Sequence, residues 1–135
     1  MVYSKSIKVA TSGKSDLKNI SGEVENAIRD SGIKEGIALI FTVHTTTGLF
    51  LNEAEGGLLD DIEKALNAAV PPDRPYLHNR VDNNAPSHIQ SMLLGASLTI
   101  PVEGGGLLLG TWQNVFLAER DGPRQRTVHI KVVGE

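Results

Sequence analysis

Residues 96–133 read ASLTIPVEGGGLLLGTWQNVFLAERDGPRQRTVHIKVV, and their alternation of apolar runs and turns decides the fold. Ala96 to Val102 is an apolar, β-branched run that predicts a strand. The glycines at 104–106 mark a turn, because they permit backbone conformations closed to other residues. Leu107 to Leu117 predicts one long strand, Asp121-Gly122-Pro123 a second turn, and Thr127 to Val133 a closing strand. Strands joined by short turns run antiparallel, since a parallel return needs a long crossover. In the closing strand Val128, Ile130 and Val132 share one face; Thr127, His129 and Lys131 share the other.

Upstream, Tyr3 to Ala10 alternates and reads as a further strand, with Ile7 and Val9 on one face. Leu17, Ile20, Val24, Ala27 and Ile28 follow at helical spacing, with Ser15 or Asp16 as the cap and Gly32 as the stop. Ile37 to Val43 (IALIFTV) predicts a buried strand that delivers His44 at its end. TTTG leads into a short strand, LFLN. Asn52 with Glu55 three residues on suggests a capping box for a helix whose Leu59, Ile62 and Leu66 share a face. Pro71 and Pro72 end it. After a polar loop, Pro86 suits the first position of a third helix, with Ile89, Met92 and Leu93 inward and Gly95 as its stop. The expectation is one α+β domain over residues 1–135, a mostly antiparallel sheet packed with about three helices.

Composition narrows the function. The 135 residues include no cysteine, so a metal must be held by nitrogen and oxygen, and thiolate chemistry is excluded. A net charge of -3 argues against a general nucleic-acid binder. No apolar run approaches the ~20 residues needed to cross a bilayer. The N-terminal MVYSKSIKVA lacks the apolar core of a signal peptide, so a cytoplasmic protein with no membrane partner is expected.

Three clusters carry the candidate chemistry. The first is histidine. His44 ends a strand, His78 lies in the polar loop HNRVDNNAPSHIQ (78–90), and His88 lies in the first turn of the third helix, where the dipole favours the neutral ring. Three imidazoles with one open position make a catalytic zinc pattern, although no HxH or HExxH pair fixes two of them locally. Taken singly, each also reads as a structural or exposed residue. The second cluster is Asn52, Glu53, Asp60 and Asp61 at the start of the second helix. Glu53 is a candidate general base or metal-orienting carboxylate, and the same acids also suit a capped, solvated helix start. The third is GTWQNVFLAERDGPRQR (110–126). Arg120, Arg124 and Arg126 at a turn can clamp phosphate, or form a solvated tip. Trp112 alone reads as core.

In this order, HTTTGLFLNE, HNRVDNNAPSHIQSMLLG, and IPVEGG followed by LLLGTWQNVFLAERDGPRQR resemble the YjbQ family over nearly the whole chain. The resemblance implies a homotrimer with its site near subunit contacts and a secondary thiamine-phosphate synthase type of activity. It carries motif positions to His44, Asn52, Glu53, Asp60, His78, Asn84, His88, Trp112, Gln113 and Glu119, and leaves Asp82 and Asn83 without a role. Such a synthase expels pyrophosphate. A divalent metal, zinc or magnesium, on His44, His78 and His88 would neutralise the leaving group together with Arg124 and Arg126, and the Trp112 face would shield a developing cation. No glycine-rich phosphate loop opens a helix, however. The expected enzyme therefore performs metal-assisted transfer or hydrolysis on a small phosphorylated metabolite. In that reading His44, Glu53, His78 and His88 are catalytic, and Asn52, Asn84, Trp112, Gln113, Glu119, Arg124 and Arg126 bind the ligand. The alternatives are a non-catalytic small-ligand or anion-binding trimer, and a purely structural role for the histidines and asparagines.

Overall fold

The structure, a computed structural model, describes residues 1–135. Eight strands and three α-helices follow in the order β1 (Val2–Ala10), β2 (Asp16–Asn19), α1 (Ser21–Ser31), β3 (Gly36–Thr42), β4 (Thr47–Asn52), α2 (Gly56–Ala69), α3 (Ala85–Leu94), β5 (Ser97–Glu103), β6 (Gly106–Leu107), β7 (Asn114–Glu119) and β8 (Gln125–Gly134). A 3-10 turn, Leu77–Arg80, precedes α3. Every strand pairing is antiparallel. The strands form a five-stranded sheet ordered β1-β8-β3-β5-β6 and a three-stranded sheet ordered β2-β7-β4. The α+β reading therefore holds.

Alternation builds the core. Ile7, Ala38, Ile40, Ile100, Val128, Ile130 and Val132 lie on one face of the larger sheet and are buried. Val24, Ala27 and Ile28 of α1 pack into the same cluster, as do Leu49, Val115 and Leu117 of the smaller sheet. The other face of β3 stays open: Ile37, Leu39 and Phe41 are exposed, as are Val43 just beyond the strand and Val133 on β8.

Four expectations change. The stretch around Leu17 is not the first turn of α1. It is strand β2, pairing with β7 so that Leu17 faces Ala118. Its apolar spacing suits either element, and the free edge of the smaller sheet decides it. Asn52 does not cap α2. Glu55 does, its carboxylate accepting the N–H groups of Gly57 and Leu58, while Asn52 ends β4 opposite Asn114. The single long strand from Leu107 breaks into β6 and β7, with a turn over 110–113 closed by the Gly110 N–H donating to Gln113 Oε1 at 2.8 Å. One straight strand cannot serve both sheets, and Gly110 with its polar neighbours lets the chain cross. Finally, α3 buries Ala85, Ser87, Gln90 and Ser91, while Met92 is 71 % exposed and Leu93 also faces outward. Its small face is dictated by β4, where a Cβ on Gly48 would lie 2.7 Å from Leu94 Cβ and 3.2 Å from the Ser91 carbonyl.

Candidate functional site

His44 lies two residues past β3. The register of β3 against β8 ends with Thr42 opposite Val128. Thr127 therefore has no β3 carbonyl to receive its N–H, and His44 Nε2 accepts it at 3.0 Å. Burial, followed by the nearby Arg126 guanidinium, pushes the His44 pKa below its usual value and holds the ring neutral.

His78 comes from the 3-10 turn. Its Nε2 lies 3.0 Å from Asn84 Oδ1, and Asn84 Nδ2 donates to Asp121 Oδ2 at 2.9 Å. Asn84 occupies the N-cap position of α3, yet its side chain makes no cap bond. It is buried and spent on this bridge instead. His88, on the first turn of α3, packs edge-on against His78 with ring centres 4.9 Å apart. α3 is anchored by Ser87 Oγ donating to the Arg120 carbonyl at 2.7 Å.

The three histidines line one open cleft of about 530 Å³ with Asn84, Arg124 and Arg126. It continues through His44 and His88 into a more apolar groove of about 630 Å³, whose walls include Phe41, Val43, Met92 and Ala96.

The base of the charged turn is a buried network of Glu119, Arg120 and Arg126, while its tip, Pro123 to Gln125, is exposed. Glu119 is 0 % exposed; its Oε1 receives Arg126 Nε at 2.7 Å and its Oε2 receives Arg126 Nη2. Burial alone would push the Glu119 carboxyl up. Hydrogen bonds from Arg126, Thr11 and the Asp121 N–H outweigh that, so it titrates below the usual carboxylate range. Arg126 Nη2 also donates to Thr46 Oγ1 at 2.8 Å. Its Nη1 makes no hydrogen bond within the chain and is not fully buried. Arg120, expected as a phosphate clamp, is locked to Gln90 Oε1 and Glu63 away from the cleft. Arg124, with a side chain 59 % exposed, is the freest of the three.

The proposed site residues therefore divide. His44, His78, Asn84, His88, Arg124 and Arg126 come together, with Glu119 beneath them as the partner of Arg126. Asn52, Glu53, Trp112 and Gln113 do not. β4 starts at Thr47, paired with Glu119, and ends at Asn52, paired with Asn114. Five residues at about 3.3 Å each put those ends about 17 Å apart. Asp60 is exposed on α2. Trp112, read alone as core, is 69 % exposed.

The three-histidine metal centre does not fit either. No group of three or more His, Asp or Glu side chains is placed to hold a metal. His44 Nε2 accepts a backbone N–H, and His78 Nε2 is taken by Asn84. Asp121, which the sequence offers only as a turn residue, joins the site, as do Thr46 and Asp82. The position of Asp121 before Gly122-Pro123 signals the turn and nothing more.

An α+β domain thus gathers imidazoles and a guanidinium around a cleft at its strand ends and at the start of a helix. The family is definite. The model described as "UPF0047 protein YjbQ-like" matches residues 5–135, and the chain belongs to that family. It is 45 % identical over 134 residues to a UPF0047 protein of Methanothermobacter thermautotrophicus, covering 99 % of this chain and 94 % of that one. It is 36 % identical over 131 residues to the UPF0047 protein YugU of Bacillus subtilis, covering 96 % and 98 %. Among solved structures, a YbjQ-like protein of unknown function from Sulfolobus solfataricus superposes with a TM-score of 0.98 at 42 % identity, covering 100 % of this chain and 99 % of that one. A hypothetical protein from Aeropyrum pernix gives 0.95 at 38 %, covering 98 % and 99 %. No helix is long and apolar enough to cross a membrane.

Proposed function

We propose that the domain is an enzyme acting on a small phosphorylated metabolite, with the phosphate held at Arg124 and Arg126 Nη1 and the reacting centre among the histidines. One observation carries this reading: His44 from the end of β3 and His78 and His88 from the stretch leading into α3 share a cleft with Arg124 and Arg126. The adjoining apolar groove suits an uncharged body on the same ligand. Transfer and hydrolysis are both compatible, and no step needs a metal on three histidines.

Thiamine-phosphate synthesis is the finer version of this reading. In the form read from the sequence it sets Trp112 near the arginines, which a single chain does not provide. A homotrimer could meet that need if a neighbouring copy presented its Trp112 end. The open apolar face of β3 supports self-association, since Ile37, Leu39, Phe41 and Val43 would otherwise remain in water. The non-catalytic anion-binding alternative draws support from the histidine bonds, because two ring nitrogens already serve the fold.

Thermal unfolding with added inorganic phosphate or pyrophosphate tests the reading. A ligand at 100 times its Kd stabilises by about 2.7 kcal/mol. The shift should disappear in Arg124→Ala and survive in His78→Ala. No shift in the wild type, or an equal shift in Arg124→Ala, sinks the phosphate site. Binding without turnover of any phosphorylated compound leaves the anion-binding protein as the answer.

A further inference from the structure

We infer that hydrogen bonds lock His44 and His78 in opposite tautomers, so that the cleft holds one imidazole N–H donor and one imidazole lone pair, with Asp121 as the residue that positions the second. The inference rests on the cleft being the reacting site and deepens that reading by assigning roles.

It starts from groups with no choice. A carboxylate accepts hydrogen bonds and cannot donate them, and a backbone N–H donates and cannot accept. Asp121 Oδ2 lies 2.9 Å from Asn84 Nδ2, so the amide nitrogen must face Asp121. Asn84 Oδ1 is thereby turned to His78 Nε2 at 3.0 Å and can only accept from it. His78 Nε2 carries the hydrogen, and in the neutral ring the lone pair lies on Nδ1. At His44 the order is reversed. The Thr127 N–H fixes Nε2 as an acceptor at 3.0 Å, so the ring hydrogen lies on Nδ1. The low pKa of His44 agrees with a ring that stays neutral.

Asp121 is itself held. Its N–H donates to Glu119 Oε2 at 3.1 Å, and Arg124 Nε donates to its carbonyl at 3.1 Å. The orientation of His78 is thus referred back, through Asn84 and Asp121, to the buried Glu119–Arg126 pair.

The roles differ accordingly. His78 takes the proton of an attacking water or hydroxyl onto Nδ1. The electron pair of that O–H bond forms the new bond to phosphorus, the leaving oxygen departs with the pair of the broken bond, and the proton returns to it from the imidazolium. Asn84 is an amide, so it orients the ring and takes no proton. His44 keeps its hydrogen and donates a hydrogen bond to oxygen as negative charge develops there, since a neutral imidazole is a poor proton source but a good donor.

Nitrogen-15 long-range correlation NMR of the full chain at neutral pH reads the tautomers directly, without any ligand. The expected spectrum shows hydrogen on Nε2 of His78 and on Nδ1 of His44. In Asp121→Asn the amide pair can turn either way, so His78 should move toward a mixture of both forms while His44 stays unchanged. Thermal unfolding of the same sample establishes that the variant is folded. Identical tautomers at the two rings in the wild type overturn the inference. An unchanged His78 in folded Asp121→Asn overturns the part assigned to Asp121. Neither result depends on phosphate binding, so this inference and the phosphate site can fail separately.

Discussion

The two ends of the smaller sheet carry equally dense motifs and have different physics. At the Thr47 end, Glu119, Arg126 and Thr46 are buried and bonded together, and buried Asn84 bridges Asp121 to His78 and fixes that ring. At the Asn52 end the polar groups mostly satisfy local backbone. Gln113 closes a turn, Asn52 Oδ1 accepts the Glu53 N–H at 2.8 Å, and Trp112 lies open to solvent. Polar side chains become a preorganised site only where they are desolvated and mutually constrained. An exposed motif at the other end either waits for a partner or only shapes a turn.

The comparison breaks most violently at Glu119. Glu119→Gln leaves Arg126 charged and buried without its counter-ion, which should cost about 3–5 kcal/mol in chemical denaturation. Glu53→Gln, at the open end, should stay within about 0.5 kcal/mol. The pH dependence follows from the sign of the shift. Glu119 titrates lower folded than unfolded, so its contribution is present above the unfolded carboxylate value. It is lost as pH falls through the folded one. Glu119→Gln should remove that acid sensitivity from the unfolding curve.

Gly48→Ala probes how closely α3 must approach β4. Its new methyl meets Leu94 and the Ser91 carbonyl, and a loss of about 1–3 kcal/mol is expected. The same variant should shift the NMR signals of His88 and leave those of Trp112 in place, because only His88 rides on α3.

Arg124→Ala should leave stability within about 0.5 kcal/mol, since its pairing with Asp121 is exposed, while abolishing the phosphate-dependent rise in unfolding temperature. Trp112→Ala is the sharpening control. In an isolated chain it should not touch phosphate binding. A loss there would mean that the two ends meet across a contact between copies, and sedimentation of Leu39→Glu beside wild type would test whether the open β3 face makes that contact.

The smallest effect belongs to His44. Its pKa is lower folded than unfolded, so neutral His44 adds stability that is present above the unfolded value of 6.5 and fades as pH drops below it. NMR titration should find His44 protonating below its usual value.

Much of this could be read from residue order. Alternation in Tyr3–Ala10 and Thr127–Val133 declared which side chains face the core, whereas the continuous apolar run Ile37–Val43 read as a wholly buried strand and instead leaves Ile37, Leu39, Phe41 and Val43 exposed. Gly32 and Gly95 announced helix ends in the same way, as glycine relieves a constraint felt by neighbouring residues. The histidine-bearing segments were legible as candidates from their density of imidazole, amide and carboxylate, and the structure brings His44, His78 and His88 to one cleft.

What residue order left open was everything set by pairing at a distance. Leu17 could join a helix or an edge strand until β7 offered its edge. The arginines of the 120–126 turn could be solvated or buried until distant Gln90 and Glu63 reached Arg120 and the turn folded Arg126 back onto Glu119. The register of β4 against β7 carried Asn52 and Trp112 away from the cleft, although the motif places them beside it on paper. The cause is common to all three: a hydrogen bond or ion pair between distant residues depends on sheet register and on how deeply the pair is withdrawn from water. Composition and local spacing encode neither.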